Sequence, residues 1–550
     1  MTNTQAKKGV WTRLKAWLPG GSDLTKILFA IIFLTMVFLP LLTMLLNLSS
    51  ESIDKVFHSP QFGKALVNSL VSTAISTLIT LVIAFFLSTC LERTNMRLKS
   101  FFAIIFTLPM LIPSISHGMG LVILFGNNGI LTNLFHLNFT VYGMGGIVAG
   151  SVLYALPVAF LMISDILRYE DYSPYEAAEI LGLSKWHRFK AISLPYLRKP
   201  LVSVLFSTFT MIFTDYGVPL MVGGKYATLP SIMYQEVIGQ LDFGKGSVYG
   251  VILLIPAVVA FVIDLLNKDR GNSTFVIKPH PRADRLVQKI VSYVGCAIAS
   301  LVIFLPILSF GILAFSTDYP KNTAFTLEHF EKAGKLRAFE YLLNSVTIAL
   351  LVSLIGVIIA FITAYLSARM KSKLSRFLHL SSITSAAIPG IVLGLAYVLT
   401  FKGMPIYGTL AILVMVNIVH FIASPYLMIY NSFSKINESL EDVAATMGIR
   451  RYQMVRDVLI PQCKGTIVEM FSYFFVNCMM TISAVSFLAN TKNKPISLMI
   501  TQFEAQAQLE CAAVVSLIIL LVNLLIKGIA HLIKTHSLQA LFKKRPEAKG

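Results

Sequence analysis

Residues 27–48 read Ile-Leu-Phe-Ala-Ile-Ile-Phe-Leu-Thr-Met-Val-Phe-Leu-Pro-Leu-Leu-Thr-Met-Leu-Leu-Asn-Leu, 22 positions without a charge. Crossing a bilayer takes about 20 mostly apolar residues in a helix, because lipid offers no partner to exposed backbone groups. Ile27–Leu48 is therefore predicted to span a membrane. Lys7, Lys8, Arg13 and Lys15 precede it. A basic start resembles a signal peptide, but the apolar run is too long and no small-residue cleavage pattern follows, so a retained anchor is expected.

Eleven comparable runs follow, at about 66–91, 100–126, 142–167, 200–222, 247–267, 287–316, 343–368, 377–401, 406–430, 466–490 and 511–535. Twelve spanning helices are thus predicted, the third, fifth and eleventh interrupted by Pro, Gly or polar residues. Composition agrees: of 550 residues, 55% are hydrophobic and 13% charged, where soluble domains are about a quarter charged. The formal net charge is +19, from 46 Lys+Arg against 27 Asp+Glu. Such an excess suits either a nucleic-acid binder or a membrane protein with basic cytoplasmic loops, and position decides between them. Of the 46 cations, 35 lie before the first span, after even-numbered spans or in the C-terminal tail, and 11 lie in the other loops. That alternation is the positive-inside pattern and predicts cytoplasmic termini. No single basic patch exists for nucleic acid to use. Cys90, Cys296, Cys463, Cys478 and Cys511 form no CxxC pair, which argues against a disulfide scaffold or a zinc site.

The spans repeat. Phe38-Leu39-Pro40 recurs as Phe304-Leu305-Pro306, Asn68-Ser69 as Asn344-Ser345, Ile112-Pro113 with Gly118 as Ile388-Pro389 with Gly394, and Tyr142-Gly143 as Tyr407-Gly408, at offsets of 265 to 276. The order and near-constant offset predict a six-helix unit used twice, as halves 1–275 and 276–550. Six is even, so the two copies are parallel. The polar segment 268–285 is the expected hinge. A seam between two like halves is where a solute would pass.

The loop between the fourth and fifth spans, about 170–195, runs Ser173-Pro174-Tyr175-Glu176-Ala177-Ala178-Glu179-Ile180-Leu181-Gly182 and continues to Ile192-Ser193-Leu194-Pro195. Ser173 is positioned to cap a helix whose first residue is Pro174, and Glu176 suits its first turn. Gly182 permits a sharp exit, after which a short amphipathic piece runs to Pro195. On these grounds alone an elbow at the membrane surface and a plain solvated connector stand equal. The string EAA, three residues, Gly, nine residues, Ile-x-Leu-Pro resembles the signature loop of permease subunits of binding-protein-dependent ABC importers. A counterpart at about 436–461 carries Asp442-Val443-Ala444, Gly448 and Val458-Leu459-Ile460-Pro461. There Glu is replaced by Asp and the first Ala by Val.

The resemblance covers nearly the whole chain and implies the type I ABC importer fold, all-α, with both halves fused. It implies that Glu176, Ala177, Ala178, Gly182, Asp442, Ala444 and Gly448 dock on a cytoplasmic ATPase, two copies for two elbows. ATP and Mg would be held by that partner, and a solute-binding protein would meet outer loops such as 317–342. Thr214-Asp215-Tyr216-Gly217-Val218-Pro219, with Gly223-Gly224-Lys225-Tyr226, looks most like 2-aminoethylphosphonate permeases, with ferric iron, polyamine and thiamine permeases behind. The second half carries Ser483-Ala484-Val485-Ser486 in that place. A bacterial inner-membrane location follows from the same likeness.

No phosphate-binding loop is present, so no ATPase or cofactor is expected on this chain. Gly239–Lys245 imitates GxxxxGK, but Gly246 stands where a hydroxyl would bind magnesium, and Asp242-Phe243-Gly244 matches a kinase triplet without other kinase elements. Ionisable residues within spans are the remaining candidates. Asp215 and Tyr216 are assigned to the substrate path or gate, with His117 in an interrupted helix beside them. His420 and Asn417 are weaker versions, while Asp165, Asp264 and Glu469 lie near cytoplasmic ends and reach water. An ion-coupled secondary transporter would need paired buried carboxylates and no docking elbow. A membrane-embedded enzyme would need a clustered catalytic set, which the sequence lacks.

Overall fold

The computed structural model describes residues 21–267, 278–319, 321–437 and 439–543. The basic N-terminal residues, the boundary at 275 and hinge positions 268–277 lie outside these. The first half contains α1 (Asp23–Leu46), α2 (Pro60–Arg93), α3 (Ser114–Phe125), α4 (Met144–Arg168), α5 (Ser173–Ile180), α6 (Leu194–Phe213), α7 (Gly217–Val222) and α8 (Phe243–Asn267). The second contains α9 (Leu286–Phe315), α10 (Ala338–Ala368), α11 (Lys373–Thr384), α12 (Gly390–Phe401), α13 (Leu410–Phe421), α14 (Ala423–Ser434), α15 (Leu440–Thr446), α16 (Lys464–Met480) and α17 (Leu509–Lys543). A two-stranded antiparallel ribbon, β1 (Ser316–Asp318) with β2 (Asn322–Phe325), opens the 317–342 loop.

Among the described residues, eight helices are long and apolar enough to cross a membrane, or ten if two bent pairs each count as one span. The bends measure 111° between α11 and α12 and 53° between α13 and α14. The predicted fifth and eleventh spans fall short of that criterion. Their helices α6 and α16 stop at Phe213 and Met480, and charges occupy their first two turns (Arg198 and Lys199; Lys464 and Glu469). The third span is also broken: the helix Lys99–Leu111 ends before Pro113 and α3 starts afresh at Ser114. Proline has no amide hydrogen and disfavours helix in the residue before it, which accounts for this break and for its copy at Pro389.

Packing explains the repeats. On α2, Ser69, Ser72, Thr73, Ser76, Thr77 and Thr80 are buried, a stripe of small residues that lets α4 approach closely. The first helix of each half crosses to the other half. Helix α1 packs on α11 and α12, where the Tyr397 hydroxyl donates to the Met36 carbonyl at 2.8 Å. Helix α9 packs on α3, so closely that a Cβ on Gly120 would lie 2.7 Å from Pro306 Cβ. The repeated Gly118 and Gly394 answer the same need. A Cβ would meet Met221 Cβ at 2.7 Å in one half and the Ala484 carbonyl oxygen at 2.8 Å in the other. Both neighbours belong to the chain just beyond α6 or α16.

Candidate functional site

The two elbows have one geometry. Helix α5 runs to Ile180, and Gly182 then takes φ +69°, the left-handed conformation glycine adopts without penalty. Leu183 N–H donates to the Ala178 carbonyl and Gly182 N–H to that of Glu179, both at 3.0 Å, closing a Schellman end. In the second half Gly448 has φ +71° and Ile449 N–H donates to the Ala444 carbonyl at 2.9 Å. Ala178 and Ala444 are buried, whereas Ala177, Asp442 and both glycines are exposed and Glu176 is partly so. The small residue of the motif faces the protein and its remainder faces out. Ile180 and Leu181 are 86% and 76% exposed, and Met447 is 69% exposed, a large apolar outlay for a solvated connector.

Two expectations for this loop are corrected. Ser173 does not cap α5: its hydroxyl and amide both donate to Asp171 Oδ1, at 2.9 and 3.1 Å, and those bonds hold the Asp171 carboxyl below its usual range. The second amphipathic piece does not stop at Pro195. A widened helical turn, Phe189–Ser193, absorbs the missing amide hydrogen and the chain runs on into α6. Val455–Leu459 does the same before Pro461.

Each elbow is held by an arginine from the end of the half's second helix. Arg93 pairs with Glu170, and Arg369 pairs with Glu441 and donates to the carbonyls of Ile436 and Asn437. The two arginines stand 276 residues apart, the offset of Asn68 and Asn344, so the repeat could have revealed them. The first elbow has a further brace. His280 lies edge-on to Tyr172 and Tyr175, with ring centroids 4.8 and 4.7 Å away, and Lys278 Nζ reaches Glu176 Oε1 at 2.5 Å. Burial, with Arg93 adding to it, pushes the His280 imidazole down to about 4. Burial and the 2.5 Å hydrogen bond to Glu170 push the Tyr175 hydroxyl up to about 12.

The seam encloses a cavity of about 450 Å³ with walls from both halves. Asp215 sits on its wall at the break between α6 and α7, accepting from the Val218 amide at 3.0 Å and from the Ser114 hydroxyl. Tyr216 is buried beside the cavity. Its hydroxyl lies 2.5 Å from Ser486 Oγ in the other half, and its ring stacks on Tyr234 at 4.7 Å. Tyr234 stacks in turn on Phe487, at 6.3 Å. His117 is not on the cavity wall. It is buried with its imidazole bonded to the Pro109 carbonyl, its ring 5.9 Å from that of Tyr154, which does line the space. Asn417 is buried and donates to the Leu413 carbonyl at 2.7 Å. His420 lines the cavity, and so does Asp264, whereas Glu469 pairs with Lys534 at 3.2 Å.

Sequence reasoning missed the hydroxyl wall. Ser203, Ser207, Thr210 and Thr214 line the cavity from α6 and its end. Their spacing of four, three and four is one face of a helix. Tyr473 and Asn477, four apart on α16, face them from the other half. That polar stripe was the available signal.

Comparison with known proteins now bears on this geometry. The family of binding-protein-dependent transport system inner membrane components matches the chain twice, over residues 80–269 and 354–536. The chain belongs to that family, as a permease with two fused membrane halves. It is 22% identical over 406 residues to the putative ferric transport system permease protein FbpB 1 of Haemophilus influenzae, covering 70% of this chain and 64% of that protein. It is likewise 22% identical over 406 residues to the ferric transport system permease protein FbpB of Actinobacillus pleuropneumoniae, there spanning 59% of the relative's length. The thiamine transport system permease protein ThiP of Escherichia coli is 20% identical over 459 residues, covering 80% of this chain and 84% of that protein.

Proposed function

We propose that this chain is the translocation pore of an ATP-driven importer, with each elbow seated on one copy of a cytoplasmic ATPase. The observation that carries this is the pair of elbows, each closed by a left-handed glycine, at φ +69° and +71°, with apolar side chains turned outward. Glu176, Ala177, Ala178, Gly182, Asp442, Ala444 and Gly448 form the docking surfaces, the two buried alanines by setting how the helices lie. The charge alternation supports cytoplasmic termini and elbows. A solute-binding protein delivers cargo to the opposite face, at loops including 317–342. ATP and Mg belong to the ATPase.

ATP-driven closure of the ATPase pair moves the elbows, and the elbows rock the halves about the seam, switching access to the cavity. The Tyr216–Ser486 contact and the Tyr216–Tyr234–Phe487 stack serve as the gate. For the cargo we propose 2-aminoethylphosphonate, on the strength of the asymmetric Thr214–Pro219 element. Ferric iron is the second reading, supported by what the relatives are named for. Co-expression with the ATPase and binding protein tests the assignment. The permease is expected to co-purify with an ATPase that loaded binding protein stimulates, while the chain alone turns over no ATP. Turnover by the chain alone, or failure of any ATPase to bind it, overturns the reading.

A further inference from the structure

We propose that the seam cavity is a solute site in the permease itself, one that takes its ligand by a positively charged group, either an ammonium or a metal cation. This rests on the pore reading above and adds to it a binding station within the membrane.

The cavity holds about 450 Å³, within the usual range for small-molecule sites and far beyond what one bare ion fills. Its charged wall groups are Asp215 and Asp264, and among the described residues that line it there is no lysine or arginine. The remainder combines apolar side chains with a neutral hydrogen-bonding strip, the Ser203, Ser207 and Thr210 face of α6 against Tyr473 and Asn477 of α16. Thr210 Oγ1 and His420 Nδ1 are buried without a protein hydrogen-bond partner among the described residues. A polar group held away from water in this way is costly unless something binds it.

The plain alternative is that Asp215 only caps α7. Capping needs an acceptor oxygen and not a charge, since asparagine performs as well as aspartate at such positions. The position 266 residues later is Thr481, so the second half makes its own break without a carboxylate. A carboxylate kept within the membrane is expensive and marks a function by default. A lone phosphonate would meet a like charge at Asp215, while the ammonium of an aminophosphonate meets its complement there.

Purified full chain in detergent, melted in the presence of single solutes, tests this, because a ligand that binds only the folded protein raises its melting temperature. The probes are 2-aminoethylphosphonate, ethylphosphonate, ferric citrate, spermidine and thiamine. At least one ammonium- or metal-bearing solute, or cationic thiamine, is expected to raise the melting temperature, and ethylphosphonate is not. Asp215→Asn, which keeps the capping oxygen, and Thr210→Val should each abolish the shift while melting near wild type unliganded. Ferric citrate and 2-aminoethylphosphonate separate the two sources of charge. No shift with any probe, an equal shift with ethylphosphonate, or a shift that survives Asp215→Asn overturns the proposal. If the chain still recruits its ATPase in those cases, the site alone falls; if it does not, the pore reading falls with it.

Discussion

The Tyr216 hydroxyl and Ser486 Oγ, 270 residues apart in sequence, lie 2.5 Å apart across the seam. The contact joins the halves next to Asp215, which lines the cavity. Stacking on Tyr234 fixes the Tyr216 ring, so the hydroxyl arrives with little freedom left to lose. The bond therefore ties the two halves together at this point.

Tyr216→Phe keeps the stack and removes the bond. A hydrogen bond of this kind contributes about 0.5–1.5 kcal/mol, so the closed arrangement should weaken by about two- to tenfold. Ser483 lines the cavity just behind this contact, and the five native cysteines are buried. In a Ser483→Cys background, a membrane-impermeant maleimide applied from the side of the 317–342 loop should label the Tyr216→Phe protein faster by that factor. Equal rates would mean that the seam is held elsewhere.

The elbow glycines make a prediction of their own. Among the described residues, no atom lies within 4 Å of where a Cβ on Gly182 or Gly448 would stand, so a substitution acts through the backbone. At positive φ a side chain costs about 1–2 kcal/mol, least for asparagine. Gly182→Val with Gly448→Val should abolish uptake with the protein still inserted at normal levels, and the paired asparagine variants should retain it. Transport assays beside membrane-fraction blots decide the matter. Wild-type uptake by the valine pair would remove the elbows from coupling.

Much of this was legible beforehand, and what was not has physical causes. The membrane class, the duplicated half and both elbows follow from apolar length, repeat offset and a glycine needing positive φ, all local properties. The broken fifth span was only partly legible. Its length suggested a helix to residue 222, but Asp215 takes the Val218 amide and stops the regular ladder at Phe213. His117 was assigned to the path because its helix is interrupted. The interruption instead lets α3 pack beneath α9, and the imidazole turns back to Pro109. The crossing of α1 and α9 between halves left no sequence trace beyond Gly120 and Pro306, since one apolar helix face resembles another.

The brace on the first elbow should respond to pH. His280 faces Tyr172, Tyr175 and Glu170, with Arg93 beside it. Glu170 lies 3.4 Å from His280 Nε2, but that carboxylate is already engaged by Arg93 and the Tyr175 hydroxyl. The packed imidazole accordingly binds its proton only at about 4, against an ordinary value of 6.5. Between those limits the undocked segment holds more protons than the docked one, so docking is fully favoured above 6.5 and weakens as pH falls toward 4. The amide of Ala283 reports on it, since it donates to the Arg93 carbonyl at 2.7 Å only while the segment is seated. Hydrogen exchange over residues 278–285, corrected for intrinsic rates, should lose protection as pH drops from 7 to 5. His280→Gln, which cannot gain a proton there, should flatten that dependence and leave the Gly448 elbow unchanged. Protection that falls equally in the variant would mean that His280 is not the group responsible.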